Sequence, residues 1–218
     1  MPKEGARDAI AQSHFKFLPQ FHQNKEPIRI SGMSERRKMS LFQEIARSLV
    51  GTNGTGHLGQ ELRELKHLGE NDLSNHWKDR ARLLLLVNSY DQARWAANEI
   101  RNCWSSMQDF VYHLVPDNIE TYTEDNFDEL AKFVKPPDKS ALNRADIETF
   151  GQTKGKILVA PMNAIGRGFN ILNANGKAAF GAIYFLTRPY PHPHDTQAGI
   201  ELGQIFSRVR CTITKQFS

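Results

Sequence analysis

Between residues 83 and 187 the chain alternates short, mainly apolar runs with longer stretches in which apolar residues recur every three or four positions. The runs are Leu83–Val87 (LLLLV) and Ile157–Ala160, both unbroken, Phe110–Val115, and Phe180–Thr187, whose apolar character alternates and then becomes continuous. Each is too short for a helix and is bounded by turn formers: Asn88 and Ser89, Pro116 and Asp117, Gly155 and Pro161, and Pro189 with Pro191. Apolar character that does not alternate marks a strand buried on both faces, as in a parallel sheet. The stretches between the runs supply crossovers. Ala93, Ala96, Ala97, Ile100 and Trp104 share one helical face. Asn143–Phe150 opens on a capping residue, carries Asp146 in its first turn and turns Ile147 and Phe150 inward. The pattern predicts an α/β fold, a mostly parallel sheet with helices on both faces.

Upstream, Leu41, Phe42, Ile45, Ala46, Leu49 and Val50 predict a one-faced helix that stops at Gly51, and Glu61–Leu68 predicts a short charged helix. Between them lies GTNGTG, which lacks the lysine and Ser/Thr that complete a phosphate-binding loop and follows no apolar strand, so a flexible loop is expected. Residues 1 to about 40 mix Phe15, Phe17, Leu18 and Phe21 with chain breakers, as expected of a segment that lies on another surface. The composition changes near Trp77. The expected division is a mainly helical accessory segment, 1–76, and an α/β domain, 77–218.

The 218 residues suffice for one such domain plus an accessory segment, and 39% hydrophobic with 24% charged residues is a composition that buries a core. No apolar run is long enough to span a bilayer and MPKEGARDAI has no signal-peptide core, so the expected location is cytoplasmic, with no membrane partner. Cys103 and Cys211 lack paired zinc spacing. His192, His194 and Asp195 are ligand types, but prolines stiffen them into an extended loop with no further ligand cluster nearby, and no metal site is assigned. The net charge of +4 adds weak support for a polyanion partner.

The densest chemistry lies in Lys154–Asn173, KGKILVAPMNAIGRGFNILN. A buried strand runs into a loop with Asn163, Gly166, Arg167, Gly168 and Asn170: small residues that let a backbone approach a ligand, one fixed cation, and amides that donate and accept. Open α/β sheets bind ligands at such strand ends. The stretch resembles motif V of superfamily 2 helicases, in which a strand of the second RecA-like domain leads to Arg-Gly, an apolar residue and Asp or Asn. Here these are Arg167, Gly168, Phe169 and Asn170, with Pro161 and Met162 where a Thr usually stands. Leu83–Ser89 and the helix after it resemble motif IV, and Arg144, Ile147 and Phe150 resemble the helix that precedes the motif V strand. A last helix, expected from Thr196 through Arg210, resembles motif VI in Gln204, Arg208 and Arg210, with Ser207 in place of Gly.

The resemblance covers about residues 83 to 210 and implies a RecA-like domain of the P-loop NTPase type. It implies that Ser89, Asn163 and Arg167 face the nucleic-acid backbone, that Gly168, Asn170 and Gln204 face the nucleotide, and that Arg208, ahead of Arg210, reaches the γ-phosphate. No Walker A loop and no Asp-Glu pair after a strand accompany these motifs. The chain therefore looks like the second half of a helicase motor, with ATP and Mg²⁺ bound only together with a first RecA-like domain, DNA or RNA backbone as ligand, and no ATP hydrolysis expected of the chain alone. A catalytically inactive nucleic-acid-binding or interaction module with the same shell is the alternative.

Overall fold

A computed structural model describes residues 15–17, 30, 32–73, 77–116, 138–165, 169–187 and 210–213. The elements are β1 (Phe15–Phe17), α1 (Glu35–Val50), α2 (His57–Asn71), β2 (Leu83–Val87), α3 (Tyr90–Cys103), β3 (Val111–Val115), β4 (Ala141–Asn143), β5 (Ile157–Pro161), α4 (Met162–Ile165), β6 (Ala182–Phe185) and β7 (Arg210–Ile213). They build a seven-stranded sheet in the order β1-β7-β6-β2-β5-β3-β4, parallel at every pairing. The central strands are in step, with Leu83 beside both Ile157 and Ala182.

The apolar runs are unbroken because both faces of the central strands are covered. Leu83, Leu85, Val87, Ile157, Val159, Ala182, Tyr184 and Leu186 point to the side on which α1, α2 and α3 pack. Leu84, Leu86, Leu158, Ala160, Ile183 and Phe185 point to the other, where a 3-10 segment, Arg144–Gln152, supplies Ile147 and Phe150, and α4 and the stretch after it supply Ala164, Ile171 and Phe180. The α/β architecture expected from the sequence is thus present, with long helices on one face and short irregular ones on the other. The boundary expected between residues 76 and 77 adjoins residues 74–76, which lie outside the described residues. On its two sides, Leu41, Phe42, Ile45 and Leu65 share one apolar cluster with the sheet.

Local structure differs from expectation in places with physical causes. The helix expected over Asn143–Phe150 is a 3-10 segment, Arg144–Gln152, whose N-cap Asn143 is also the last residue of β4. The segment around Phe15 adds an edge strand to β7. Arg210, expected on the last helix, opens β7 beside Ala182; the sequence Arg210–Ile213 ends in β-branched residues that suit a pleated strand. GTNGTG is a tight packed corner: Gly51 at φ +64° caps α1, and Gly54 at φ +83° sits under the Trp104 ring. The ring leaves no room for a side chain there, since a Cβ on Gly54 would lie 2.3 Å from Trp104 Cε2.

Strand β3 holds a buried histidine. His113 is 2% exposed, its Nδ1 has no hydrogen-bond partner, and the Asp138 carboxylate stands 3.9 Å away, shared with Arg101 at 3.5 Å. Burial, then the Arg101 charge, lowers the imidazole from 6.5 to about 4, against the opposing pull of Asp138. Burial alone would raise the Asp138 carboxyl, yet the Ser140 N–H and the charges of Arg101 and His113 hold it below the usual carboxylate range.

Two outcomes follow. Gly54→Ala should destabilise the fold by about 2 kcal/mol or more, through overpacking against Trp104 added to an unfavourable φ, read from urea unfolding midpoints. For His113, the unfolded chain takes up a proton at 6.5 and the folded chain only at about 4. The stability that the neutral imidazole contributes is complete above pH 6.5 and is lost as the pH falls toward 4, by up to about 3 kcal/mol. Unfolding midpoints between these pH values should fall more steeply for the natural chain than for His113→Gln.

Candidate functional site

Because the sheet is parallel, the carboxyl ends of β2, β5 and β6 share one rim, with Val87 level with Pro161 and Leu86 level with Phe185. The chain leaves β2 toward β3 on one side and leaves β6 toward β7 on the other, so these adjacent strands diverge in their connections. Such a switch point opens a crevice at the strand ends, the usual ligand position in open α/β sheets.

Polar side chains are fixed there by their own network. Ser89 caps α3, its Oγ accepting the Gln92 N–H at 3.3 Å, and the Gln92 side chain reaches back to accept the Asn88 N–H at 2.9 Å. The pair works as a capping box shifted by one residue. Across the crevice, the buried Thr187 hydroxyl donates to Asn88 Oδ1 at 2.9 Å, joining the end of β6 to the end of β2. Asn163 is exposed on α4, immediately beyond β5. The described rim therefore offers amides and hydroxyls; its nearby Arg94 is paired with Asp91 at 2.8 Å. Neutral donors of this kind hydrogen-bond phosphate oxygens or carbonyls without setting a strong local charge.

Arg144 governs the stretch after β5. Its Nε donates to the carbonyl of Ala164 at 3.3 Å and its guanidinium lies over the Phe169 ring at 5.4 Å, so it holds the residues on either side of 166–168. Glu148, on the same 3-10 segment, accepts the backbone N–H of Asn170 at 3.0 Å. Farther on, buried Asn173 accepts the N–H groups of Asn175 and Lys177 and donates to the carbonyls of Lys78 and Asp79.

Of the residues singled out from the sequence, Ser89 and Asn163 are brought to the same rim. Asn170 is exposed and tied through its backbone to Glu148. Arg167, Gly168, Gln204 and Arg208 lie outside the described residues, as do His192, His194 and Asp195. The backbone of Arg210 stands level with Ala182, at the amino end of the sheet and so at the end opposite Ser89 and Asn163. Asn88, Gln92 and Thr187 were given no site role, although Asn88 and Thr187 are polar residues at the end of an apolar run. Among the described residues no group of three or more His, Cys, Asp and Glu side chains is placed to hold a metal ion.

No family model matches the chain, and no curated protein matches it. Among solved structures, T4 UvsW aligns with it at 10% sequence identity and a TM-score of 0.38, over 93% of this chain and 32% of the UvsW chain. The chain thus spans about a third of the length of that structure, the 32% covered. No helix among the described residues is long and apolar enough to cross a membrane.

Arg144→Ala removes a charged donor and a ring contact together. It should lower stability by about 1 kcal/mol, a modest loss because the site is partly exposed. Amide exchange should accelerate in Met162–Ile165 and at Phe169–Ile171 while the β2 and β6 amides keep their protection, a pattern that exchange mass spectrometry resolves.

Proposed function

We propose that the chain is the second motor domain of an ATP-dependent superfamily 2 helicase or translocase, gripping the backbone of DNA or RNA and completing the ATP site of a first RecA-like domain in the same or another chain. The observation that carries this reading is the meeting of Ser89 and Asn163, from the motif IV-like and motif V-like stretches, at the carboxyl ends of adjacent parallel strands beside a switch point. Stretches 74 residues apart in sequence, counted from 89 to 163, become neighbours only in this topology.

The division of labour follows from the chemistry available. Ser89 and Asn163 contribute neutral hydrogen bonds to phosphodiester oxygens, contacts that position a strand without reading its bases. Arg167 adds the charge, and Arg144 sets the stretch that carries it. Gly168, Asn170 and Gln204 are assigned to the nucleotide side. Arg208, ahead of Arg210, is the candidate for the γ-phosphate; the backbone of Arg210 opens β7 beside Ala182. ATP with Mg²⁺ would supply the phosphoryl transfer when bound, and both would be held together with the first domain, because the sequence has no Walker A loop and no Asp-Glu pair after a strand.

The catalytically inactive binding module remains the second reading, favoured by two observations. Pro161, which has no N–H to donate, ends β5 where the family has Thr, and the stretch resembling motif VI enters a strand at Arg210.

The two readings separate on a complex with the first domain. Arg167→Ala and Asn163→Ala should each lower nucleic-acid-stimulated ATP turnover by roughly tenfold, about 1.4 kcal/mol of coupling, while the melting temperature stays the same. The chain alone should hydrolyse no ATP. Unchanged turnover in both variants would sink the motor reading, and turnover by the isolated chain would mean that it carries a complete phosphate cradle.

A further inference from the structure

At the opposite edge of the sheet, the heads of the central strands collect cations that the rim does not use. Arg82 immediately precedes β2 and Lys156 immediately precedes β5, and the Leu83 N–H donates to the Lys156 carbonyl at 2.8 Å, so the two stand side by side. Helix α2 brings Lys66 to the same edge. A Cβ on Gly181, the residue before β6, would lie 2.6 Å from Leu65 Cδ2, and one on Gly69 would lie 3.0 Å from the Trp77 carbonyl oxygen. The residues after Trp77 contribute exposed Lys78 and buried Arg80. Asn173 ties the turn that carries exposed Lys177 to the carbonyls of Lys78 and Asp79.

The carboxylates at this edge are already engaged. Asp79 is bound by Arg82 at 3.0 Å, Asp72 accepts the Trp77 N–H, and Glu70 pairs with Lys66 at 3.7 Å on an exposed helix face. Half-buried Lys156 is left facing Arg82 and Lys66. Burial, then the Arg82 charge, and then the Lys66 charge lower its affinity for a proton, against the partial relief of Asp79. Cations held together in this way are relieved by an anion that arrives from outside.

We infer that this amino-terminal edge is a second binding surface for the phosphate groups of a polynucleotide, separate from the rim at the carboxyl ends. The inference rests on the proposed function in taking a polynucleotide as the ligand of the chain. The chemistry of the edge favours the same partner over an acidic protein. Its accessible charge comes from Lys66, Lys78, Lys156 and Lys177, flexible ammonium groups suited to phosphates, whereas protein interfaces are depleted in lysine and centre on aromatic and arginine anchors. Two surfaces at opposite ends of one sheet would let a strand stay attached at the edge while the rim releases and regrips.

The test is fluorescence anisotropy of a labelled single-stranded oligonucleotide with the full chain over a series of salt concentrations. The variant Lys66→Gln/Lys156→Gln/Lys177→Gln should keep its melting temperature, bind roughly tenfold or more weakly at low salt, and lose about two from the slope of log affinity against log salt. Equal affinity and slope in the variant would overturn the inference. If Asn163→Ala alone weakens binding, the edge is not a site and the motor reading stands, because that reading is judged on turnover in the two-domain complex. A polyglutamate peptide of matched charge that displaces the oligonucleotide at equal concentration would also overturn it, by pointing to an acidic protein partner.

Discussion

The burial of strands β2, β5 and β6 on both faces is the constraint from which the remaining arrangement follows. Every residue from Leu83 to Val87, from Ile157 to Pro161 and from Ala182 to Phe185 is buried. A polar side chain in their interior would lose its water with no partner in reach, at a cost of several kcal/mol in an apolar layer. Polar chemistry is therefore driven to the two ends of the strands, and parallel pairing sorts it by end. The residues after the strands are amides and hydroxyls that cap and bridge, Asn88, Ser89, Thr187 and Asn163. Those before the strands are cations, Arg82 and Lys156.

The same constraint explains the unequal faces. The strand residues facing α1 and α3 meet long helices whose small residues, Ala46, Ala93, Ala96 and Ala97, permit close approach, and a largely buried Glu99 on α3 takes two hydrogen bonds from Arg47 on α1. The other face is closed by Phe150, stacked on Phe180 at 5.4 Å and edge-on to Tyr112 at 5.8 Å. Large rings cover area that a long helix would otherwise cover, so short irregular segments suffice there. Ala164 and Phe169, in the stretch that resembles motif V, lie on the face of rings and turns and are held by a single side chain, Arg144.

The central strands were legible because two-sided burial writes itself into the sequence as uninterrupted apolar residues, and Leu83–Val87 was read to the residue. The edge strands were not. Ala141–Asn143 carries half-buried and exposed side chains, and its pairing with His113–Val115 is set by tertiary contact, leaving no run to recognise. The packing of the glycine corner was not legible because Gly54 answers to Trp104, fifty residues away, while Gly51 and Gly56 press on each other's backbone. At the rim, Ser89 and Asn163 were legible as polar residues that follow buried strands. Thr187 was hidden within its run, and Asn88 and Gln92 lacked any signal beyond position, because their roles rest on hydrogen bonds that exist only once β2 and β6 lie side by side. Arg144 was noticed for its spacing to Phe150, and its hold on Ala164 and Phe169 needed the fold to bring β5 back beside the 3-10 segment.

The two ends of the sheet are joined by more than the strands. From Met162 the chain passes under the face of rings, burying Ile171, Ala179 and Phe180, and reaches the amino edge, where the Phe180 carbonyl accepts two hydrogen bonds from Arg80 and Asn173 fastens Lys78 and Asp79. Arg80 in turn lies over Trp77 at 4.8 Å, just beyond the end of α2. The segment that starts at the rim thus ends by holding the edge in place. Along it the fixed points are a buried arginine, a buried asparagine with its acceptor and donors engaged, and stacked rings, each of which costs free energy to move. The contacts that hold Lys78 and the turn of Lys177 are therefore continuous with the apolar face that Ile171, Ala179 and Phe180 close over the central strands.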